Sequence, residues 1–223
     1  MPLYQYNAAY SAQGLGLNYV SKSKYSVDDL LMTNRIVSSE LKNNNELINN
    51  WTKFKFANYL DVDSQYGPIT NLKNFKNRLY YFQDSAVGIA SVNERSLITD
   101  NNPGALVLGT GDILSRFDYI VDHNGSSIVN DNSIINSNFN LYWYDFDKNV
   151  ICQIGEGFQE LSKTKNVQSY LRSIENEKRD NSVSCYDTKY NEVQFNIAKK
   201  NIVFNETLGV FTSFYTNTPD FAL

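Results

Sequence analysis

The sequence offers few side chains of the types that catalyse reactions or bind metal ions. Its single histidine, His123, lies in the turn-forming sequence Asp122-His-Asn-Gly125. A metal site normally recruits several His or Cys, and a Cys–His or Ser–His pair would need this one imidazole. Nothing in the sequence places His123 beside Cys152, Cys185 or a particular serine. The sequence therefore predicts a surface turn at His123, with no catalytic metal, no cofactor and no enzymatic turnover.

The two cysteines and the paired aspartates have alternative interpretations. Two cysteines cannot form a disulfide framework, so free thiols on strands are favoured over a single bridge. Asp61-Val-Asp63 puts two carboxylates on one face of an extended segment, which would suit a divalent cation or a carboxylate pair. The favoured alternative there is a solvated strand end. Asp145-Phe-Asp147 fits a hairpin turn, because it lacks the further oxygen ligands of an EF-hand loop.

Two aromatic clusters and one glycine pair would suit ligands. Tyr142-Trp-Tyr144 and Tyr80-Tyr-Phe82 would stack on sugars if they were exposed. The period of two in strands instead favours one half of each cluster in the core and the other half as cross-strand cover. Gly109-Thr-Gly111 lacks the third glycine and the Lys-Ser/Thr pair of a phosphate loop, so it predicts a tight turn.

The composition favours a β-protein and argues against several functions. Aromatic residues make up 14% of the 223 residues, and asparagine, which suits tight turns, occurs 30 times. The formal net charge is −4 without a stripe of Lys or Arg, so specific nucleic-acid binding is not expected. No apolar run approaches the roughly 18 residues needed for membrane insertion. The N-terminus lacks the basic and apolar regions of a signal peptide, which predicts synthesis in the cytoplasm.

Four segments have the pattern of antiparallel hairpins, each with two β-rich arms around a short polar turn. They cover residues 71–92, 141–154, 182–197 and 201–216. The last two, separated by a few residues, predict one four-stranded antiparallel unit. Recurring hairpin modules are typical of β-propeller blades. The predicted fold class is therefore all-β, predominantly antiparallel, with β-propeller-like blades and one short helix around 158–174.

The rest of the chain is less regular. Residues 1–25 predict an extended N-terminal arm, and residues 26–223 a single domain with an interface excursion at 93–125 that has no clear hairpin pairing. Further strands are predicted at 35–41, 51–57 and 127–135. The predicted helix would bury Leu161, Val167, Tyr170, Leu171 and Ile174. The predicted strand core consists of Phe54, Phe56, Leu79, Tyr81, Trp143, Val193, Phe195, Phe204 and Phe214.

From about residue 30 onward, an ordered series of segments resembles one protein family. The series is Asn58–Pro68, Phe75–Gln83, Val92–Ile98, Asp100–Asn102, Leu108–Gly111, Arg116–Tyr119, Tyr186–Val193, Val203–Glu206 and Phe211–Tyr215. It resembles the tail stabilization or muzzle proteins of crAss-like bacteriophages, which are similar in role to the tail nozzle of podoviruses. Members of that family are larger than this chain. The chain would then be a fragment of a larger propeller, a split gene or a compact variant.

The resemblance implies a structural virion protein at the distal end of a phage tail, made in the host cytoplasm. It implies a β-propeller-bearing fold and a homo-oligomeric ring that contacts other tail and portal-ring proteins. In that position the protein would stabilise or close the tail end until genome ejection. It implies no catalytic residues.

The excursion at 93–118 is the first choice for the subunit interface, because its charges would give complementarity around an apolar centre. The candidate interface residues are Glu94, Arg95, Leu97, Ile98, Leu106, Arg116 and Asp118. The alternative is that this segment merely covers the edge of a blade. Two other functions remain open: a receptor- or glycan-binding β module that uses exposed Tyr and Trp, and a polysaccharide-cleaving enzyme with Asp61 or Asp63 in its site.

Overall fold

The fold consists of antiparallel sheets with two short helices, so the prediction of a mostly antiparallel β-protein is confirmed. The computed structural model describes residues 31–41, 47, 49–92, 96–98, 106–108, 113–127, 131–174 and 182–217. The predicted N-terminal arm at 1–25 lies outside this described part. The chain divides into two compact units, Met1–Val62 with Ser91–Arg116, and Asp63–Ala90 with Phe117–Leu223.

The first sheet has two strands, β1 (Arg35–Val37) and β2 (Tyr59–Asp61). Arg35 lies directly opposite Asp61 in the register, and the two side chains form a two-point ion pair with both N–O distances at 2.6 Å. The prediction of a strand over 51–57 is wrong. That segment begins in a 3-10 turn, Asn50–Thr52, and the partner that β1 finds is β2.

The next strands form a four-stranded meander with a hairpin inserted in it. The bounds are β3 (Ile69–Phe75), β4 (Arg78–Gln83), β5 (Val87–Val92), β6 (Ser96–Ile98), β7 (Leu106–Leu108) and β8 (Leu114–Val121). The sheet order is β3-β4-β5-β8, while β6 and β7 pair with each other. The predicted hairpin at 71–92 is confirmed. The prediction that 93–125 contains no hairpin is wrong, because it contains β6–β7 as well as the long strand β8.

Two further meanders follow in strict chain order. The first has β9 (Ile134–Asn136), β10 (Leu141–Asp145), β11 (Val150–Ile154) and β12 (Phe158–Glu160). The second has β13 (Val183–Asp187), β14 (Glu192–Ile197), β15 (Lys200–Asn205) and β16 (Val210–Tyr215). The predicted hairpins at 141–154, 182–197 and 201–216 are confirmed, as is the joining of the last two into one sheet. Of the strand predicted at 127–135, residues 128–130 lie outside the described part; Asp131–Ser133 form a 3-10 turn, and β9 begins at Ile134.

One turn design is repeated in the last three predicted hairpins. The first residue, Asp145, Asp187 or Asn205, accepts a backbone N–H two or three positions later through its Oδ1. The last turn residue, Asn149, Asn191 or Gly209, has a positive φ of 53° to 66°. Asn and Gly tolerate this left-handed backbone best, which explains part of the asparagine excess. The β3–β4 turn at Lys76 and Asn77 also has positive φ at both residues.

The middle sheet, β9–β12, is buried on both of its faces. Towards β3–β5, the packed residues are Phe75, Tyr80, Phe82, Val87, Ile134, Leu141, Trp143, Val150, Cys152 and Ile154. Towards β13–β16, they include Tyr142, Tyr144, Ile151, Val193, Phe195, Ile197, Ile202 and Phe204. Burial on both faces explains why β10 reads as a continuous apolar run, LYWY, rather than as an alternating one. Three consecutive sheets therefore stack face to face through shared cores.

The predicted helix divides into a strand and two short helices. β12 is followed by α1 (Leu161–Thr164) and α2 (Gln168–Ser173), which cover the core between the last two sheets. The predicted buried positions are confirmed for Leu161, Leu171 and Ile174, whereas Val167 and Tyr170 are half-buried.

Most of the predicted strand core is confirmed. Tyr81, Trp143, Val193, Phe195 and Phe204 are buried, and Leu79 is half-buried. The prediction is wrong for Phe54, Phe56 and Phe214, which are exposed. Phe54 and Phe56 follow a turn rather than lying in a sheet, and Phe214 lies on the edge strand β16.

Candidate assembly surfaces

The predicted interface residues are distributed over several elements. Glu94 and Arg95 lie outside the described residues. Leu97 and Ile98 lie on β6 and Leu106 on β7, where Ile98 pairs directly with Leu106. The hairpin register therefore brings three of the predicted apolar positions together at one end of a two-stranded element.

The two predicted charged residues beyond the hairpin lie on β8. Arg116 and Asp118 are exposed, while the alternate residues Phe117 and Tyr119 are half-buried. The inward rings stack edge-on with Tyr81, at centroid distances of 6.3 and 5.7 Å. The alternation on β8 therefore directs the charged positions outward and the aromatic ones into the fold.

A second surface, which the sequence did not indicate, is the aromatic segment Trp51–Phe56. Trp51, Phe54 and Phe56 are 57%, 47% and 93% exposed. Glu40 holds the segment from one side: its N–H donates to the carbonyl of Lys53 at 2.8 Å, and its carboxylate binds Lys55 Nζ at 2.9 Å. The Lys55 ammonium and the Asn58 amide keep the pKa of Glu40 below its usual value. The segment is therefore fixed by polar contacts while its aromatic rings stay in water.

A third surface is the outer edge of the last sheet, formed by β16. Its exposed large residues include Val210, Phe214 and Tyr215, and Phe214 is 59% exposed although it stacks on Tyr170 at 4.7 Å. An edge strand presents a row of unpaired backbone groups, and proteins usually protect such edges with charges or proline. The sequence of β16, VFTSFY, contains neither.

A polar network ties the last two sheets together at their turns. Glu206, in the β15–β16 turn, accepts hydrogen bonds through Oε1 from Ser137 Oγ at 2.5 Å and from Tyr142 Oη at 2.8 Å. Its own N–H donates to Asn191 O at 2.9 Å. Sequence patterns gave no signal for this role, because Glu206 reads as an ordinary polar turn residue. The network supports a rigid stack of sheets.

Hydrogen bonds through residues 124–126 link the sheet β3-β4-β5-β8 to the middle sheet, β9–β12. Trp143 Nε1 donates to Gly125 O at 3.0 Å, and Ser126 N donates to Gln83 O at 2.9 Å. Gln83 is itself buried, and its Nε2 donates to the carbonyls of Asp63 and Gly67 at 2.8 and 2.7 Å. These bonds fix the position of residues 124–126 against the β4–β5 turn.

The residues considered for chemistry have structural roles. Asp61 is ion-paired with Arg35, which lowers its pKa, and Asp63 Oδ1 accepts the N–H of Gln65 at the start of a 3-10 turn. His123 lies at an exposed turn, as predicted, beside Asp122. Both cysteines are free, and burial raises their pKa values, which disfavours the reactive thiolate. Within the described part of the chain, no three His, Cys, Asp or Glu side chains group as a metal site.

Asp145 provides a pH-dependent contribution to stability. It is buried, and burial raises its pKa to about 6, against the opposing effect of Lys148 N–H. In the unfolded chain its pKa is about 3.9. Between these values the folded protein binds a proton that the unfolded chain does not, so protonation of Asp145 favours folding as pH falls from 7 to 4.

We therefore expect the parent protein to gain about 1–3 kcal/mol of stability relative to an Asp145→Asn variant as pH falls from 7 to 4. The Asn side chain can still accept the Lys148 N–H, so the turn is preserved. Urea unfolding of both proteins at pH 7, 5.5 and 4 measures this difference. If the difference in unfolding free energy between the two proteins does not change with pH, the raised pKa is not that of Asp145.

The proposed sugar platforms are not available at the surface. Tyr142, Trp143 and Tyr144 are fully buried, as are Tyr81 and Phe82. The period of two led us to expect one half of each cluster in the core and the other half as cross-strand cover, and all six residues are buried. For Tyr142–Tyr144 the reason is that both faces of β10 pack against neighbouring sheets. These two clusters therefore cannot serve as sugar platforms, although Trp51 and Tyr190 are exposed elsewhere on the chain. Gly109-Thr-Gly111 lies outside the described residues.

The comparisons with known proteins point to one family. The family model described as Crassvirus muzzle protein matches residues 1–223. A curated muzzle protein of Bacteroides phage crAss001 is 27% identical over 190 residues, which cover 81% of this chain. The match covers 14% of that protein, so the chain spans only a small part of the length of this relative. None of the helices in the described residues is long and apolar enough to span a membrane.

Proposed function

Because the chain belongs to the Crassvirus muzzle protein family, a family of structural proteins of the phage virion, we propose that it forms a propeller-like part of the tail muzzle. In this role it assembles with other copies into a ring at the distal end of the tail. The ring stabilises that end and keeps it closed until the genome leaves. Membership of a structural family implies a non-enzymatic role.

The observation that carries this proposal is the stack of three consecutive four-stranded meanders. Each meander follows the chain order, and the middle one is buried on both faces. Propeller blades are four-stranded meanders whose faces pack on the blades before and after them. A stack of this kind supplies a stiff body, which suits a structural part of a phage tail.

The partners that follow from this proposal are other copies of the chain and neighbouring proteins of the tail and portal ring. The β6–β7 hairpin and the charged positions Arg116 and Asp118 are the proposed contacts between copies. A two-stranded hairpin is marginally stable alone and gains stability by packing on another surface. The alternative, that the hairpin covers a blade edge of its own chain, predicts no effect on assembly.

Changing Leu97 and Ile98 to Asp is therefore expected to weaken self-association at least tenfold while β-sheet content stays intact. The physical reason is the cost of burying unpaired carboxylates at the contact. Analytical ultracentrifugation of the parent and the variant at matched concentrations measures the association, and circular dichroism measures the β content. Equal association of the two proteins would favour the blade-edge alternative.

The role in the virion is tested with phage particles. A tagged copy of the chain, expressed in infected cells, is expected to enter particles as part of the tail. Native mass measurement of the purified assembly then gives the number of copies in a ring. Particles that contain no tagged chain, together with a parent that stays monomeric, would refute the proposed function.

A further inference from the structure

We propose that neighbouring copies of this chain meet head to tail, with the aromatic segment Trp51–Phe56 of one copy lying along the β16 edge of the next. This inference rests on the proposed function, because it names two surfaces of the ring contact. It differs from the β6–β7 contact, since it involves residues that the sequence predicted to be core. Phe54, Phe56 and Phe214 were expected inside and are found in water.

On one side of the aromatic segment the backbone is already hydrogen-bonded within the chain, and on the other side it can pair with a strand. Lys53 is extended, with φ −98° and ψ 124°, and its carbonyl already accepts the N–H of Glu40. Backbone groups of successive residues in an extended segment point to opposite sides. The N–H of Phe54 shares a trans peptide with the Lys53 carbonyl and therefore points away from Glu40. Neither the N–H nor the C=O of Phe54 forms a backbone hydrogen bond with any described residue. This side of the segment can pair with an exposed strand edge.

The β16 edge offers the complementary arrangement. Among the edges of the described four-stranded sheets, β16 is the only one longer than three residues without a charged side chain. β3 contains Lys73, β8 contains Arg116 and Asp118, and β13 ends at Asp187. The pairing of β16 with β15 shifts between Val203 and Phe204, which leaves Thr212 exposed and without a register partner. Apart from this bulge, the edge carries neither the charges nor the proline that protect other edges, and Val210 and Phe214 are exposed on it, so it can accept an added strand.

The aromatic segment and the β16 edge are complementary in their apolar side chains and in their backbone groups. Phe54 and Phe56 can pack beside Phe214 and Val210, while the free backbone groups of Phe54 bond to those of β16. Covering the exposed parts of Trp51, Phe54 and Phe56 removes about 300–500 Å² of surface on that side. A stable interface covers about 800 Å² per partner, so this contact supplies roughly half of one. The β6–β7 hairpin proposed above can supply the remainder.

The choice of a second copy as the occupant follows from the presence of both surfaces on one chain. A contact between two different surfaces of the same molecule propagates and closes into a ring when the rotation permits. A self-paired edge, β16 against β16, would give closed dimers and leave the aromatic segment bare. The head-to-tail arrangement covers both surfaces in every copy of a closed ring.

The test uses two variants of the full chain and one control. Phe54→Asp with Phe56→Asp disables the segment, and Val210→Lys with Thr212→Lys protects the edge. The matched control is Phe139→Asp, since Phe139 is 61% exposed and belongs to neither surface. Sedimentation velocity over a range of concentrations is expected to show association at least tenfold weaker for both variants and unchanged for the control. Circular dichroism should be the same for all four proteins.

Mixing the two variants distinguishes head-to-tail from self-paired contacts. The segment variant keeps its β16 edge and the edge variant keeps its segment, so the mixture is expected to form one-to-one dimers that do not grow. Absence of such dimers, association of both variants like the parent, or a parent that is monomeric at every concentration would each overturn the inference. If the variants associate and enter phage particles as the parent does, the aromatic segment and the β16 edge do not form the contact between copies, while the proposed function stands.

Discussion

Replacing Phe195 with Ala is expected to lower the free energy of unfolding by about 3–5 kcal/mol. Phe195 is fully buried in the core between the last two sheets, where its ring stacks edge-on with Tyr142 at 6.1 Å. Val193, Ile197 and Ile202 surround it in the same core. Strands on both sides hold these neighbours in place, so the cavity cannot collapse and the full cost of lost contacts and empty volume is retained.

Urea denaturation of the parent and the Phe195→Ala variant measures this loss. The matched control is Phe139→Ala, which removes the same atoms from an exposed loop position and should change stability by no more than about 0.5 kcal/mol. An unchanged unfolding midpoint for Phe195→Ala would show that the sheet β13–β16 does not pack on the sheet β9–β12. That result would also remove the basis for the propeller-like stack.

The hairpins could be predicted from the sequence because their information is local. Each turn combines an Asp or Asn that accepts a nearby backbone N–H with an Asn or Gly that tolerates positive φ. The arms that flank each turn are rich in β-branched and aromatic residues. Turn chemistry and strand propensity therefore agree over a few residues, and no distant contact is needed to decide the outcome.

The failed predictions concern elements whose structure depends on distant partners. The alternation in Thr52-Lys-Phe-Lys-Phe56 is typical of a strand, yet β1 pairs with β2 instead, where Arg35 meets Asp61. Alternation shows that a segment can form a strand, but it does not show which edge is free to accept it. Similarly, β6 and β7 are three residues long, too short for a period of two to be recognised.

The candidate surfaces were only partly accessible to sequence reasoning for a related reason. Large apolar residues were assigned to the core, since burial in the same chain is their most frequent environment. A chain that assembles places some of them at contacts between copies, and no pattern within one sequence separates the two cases. The exposed fractions of Phe54, Phe56 and Phe214 show that these three residues lie outside the core. The inter-sheet role of Glu206 likewise depends on Ser137 and Tyr142, which are more than 60 residues away.

Replacing Gly125 with Ala is expected to destabilise the protein by about 3 kcal/mol, at the upper end of the usual cost of overpacking. Gly125 is buried against the β4–β5 turn, and a Cβ there would overlap the carbonyl oxygen of Gln83 and come within 2.5 Å of the Asp84 carbonyl. These are backbone atoms, which cannot rotate away as a side chain can. Glycine is therefore required at position 125 because another backbone segment passes too close for a Cβ, and not because of an unusual φ.

Relaxation around the new methyl group would break contacts on both sides. Gln83 O accepts the N–H of Ser126, and Gly125 O accepts the N–H of Trp143 Nε1. Movement of either segment therefore loses a buried hydrogen bond that helps to link the sheet β3-β4-β5-β8 to the sheet β9–β12. Gly157→Ala is the matched control, because a Cβ at Gly157 meets nothing within 4 Å. Thermal and urea unfolding should show a large loss for Gly125→Ala and almost none for the control. Equal stability of the two variants would mean that residues 124–126 do not lie against β4, and the contact between the sheets β3-β4-β5-β8 and β9–β12 would have to be assigned elsewhere.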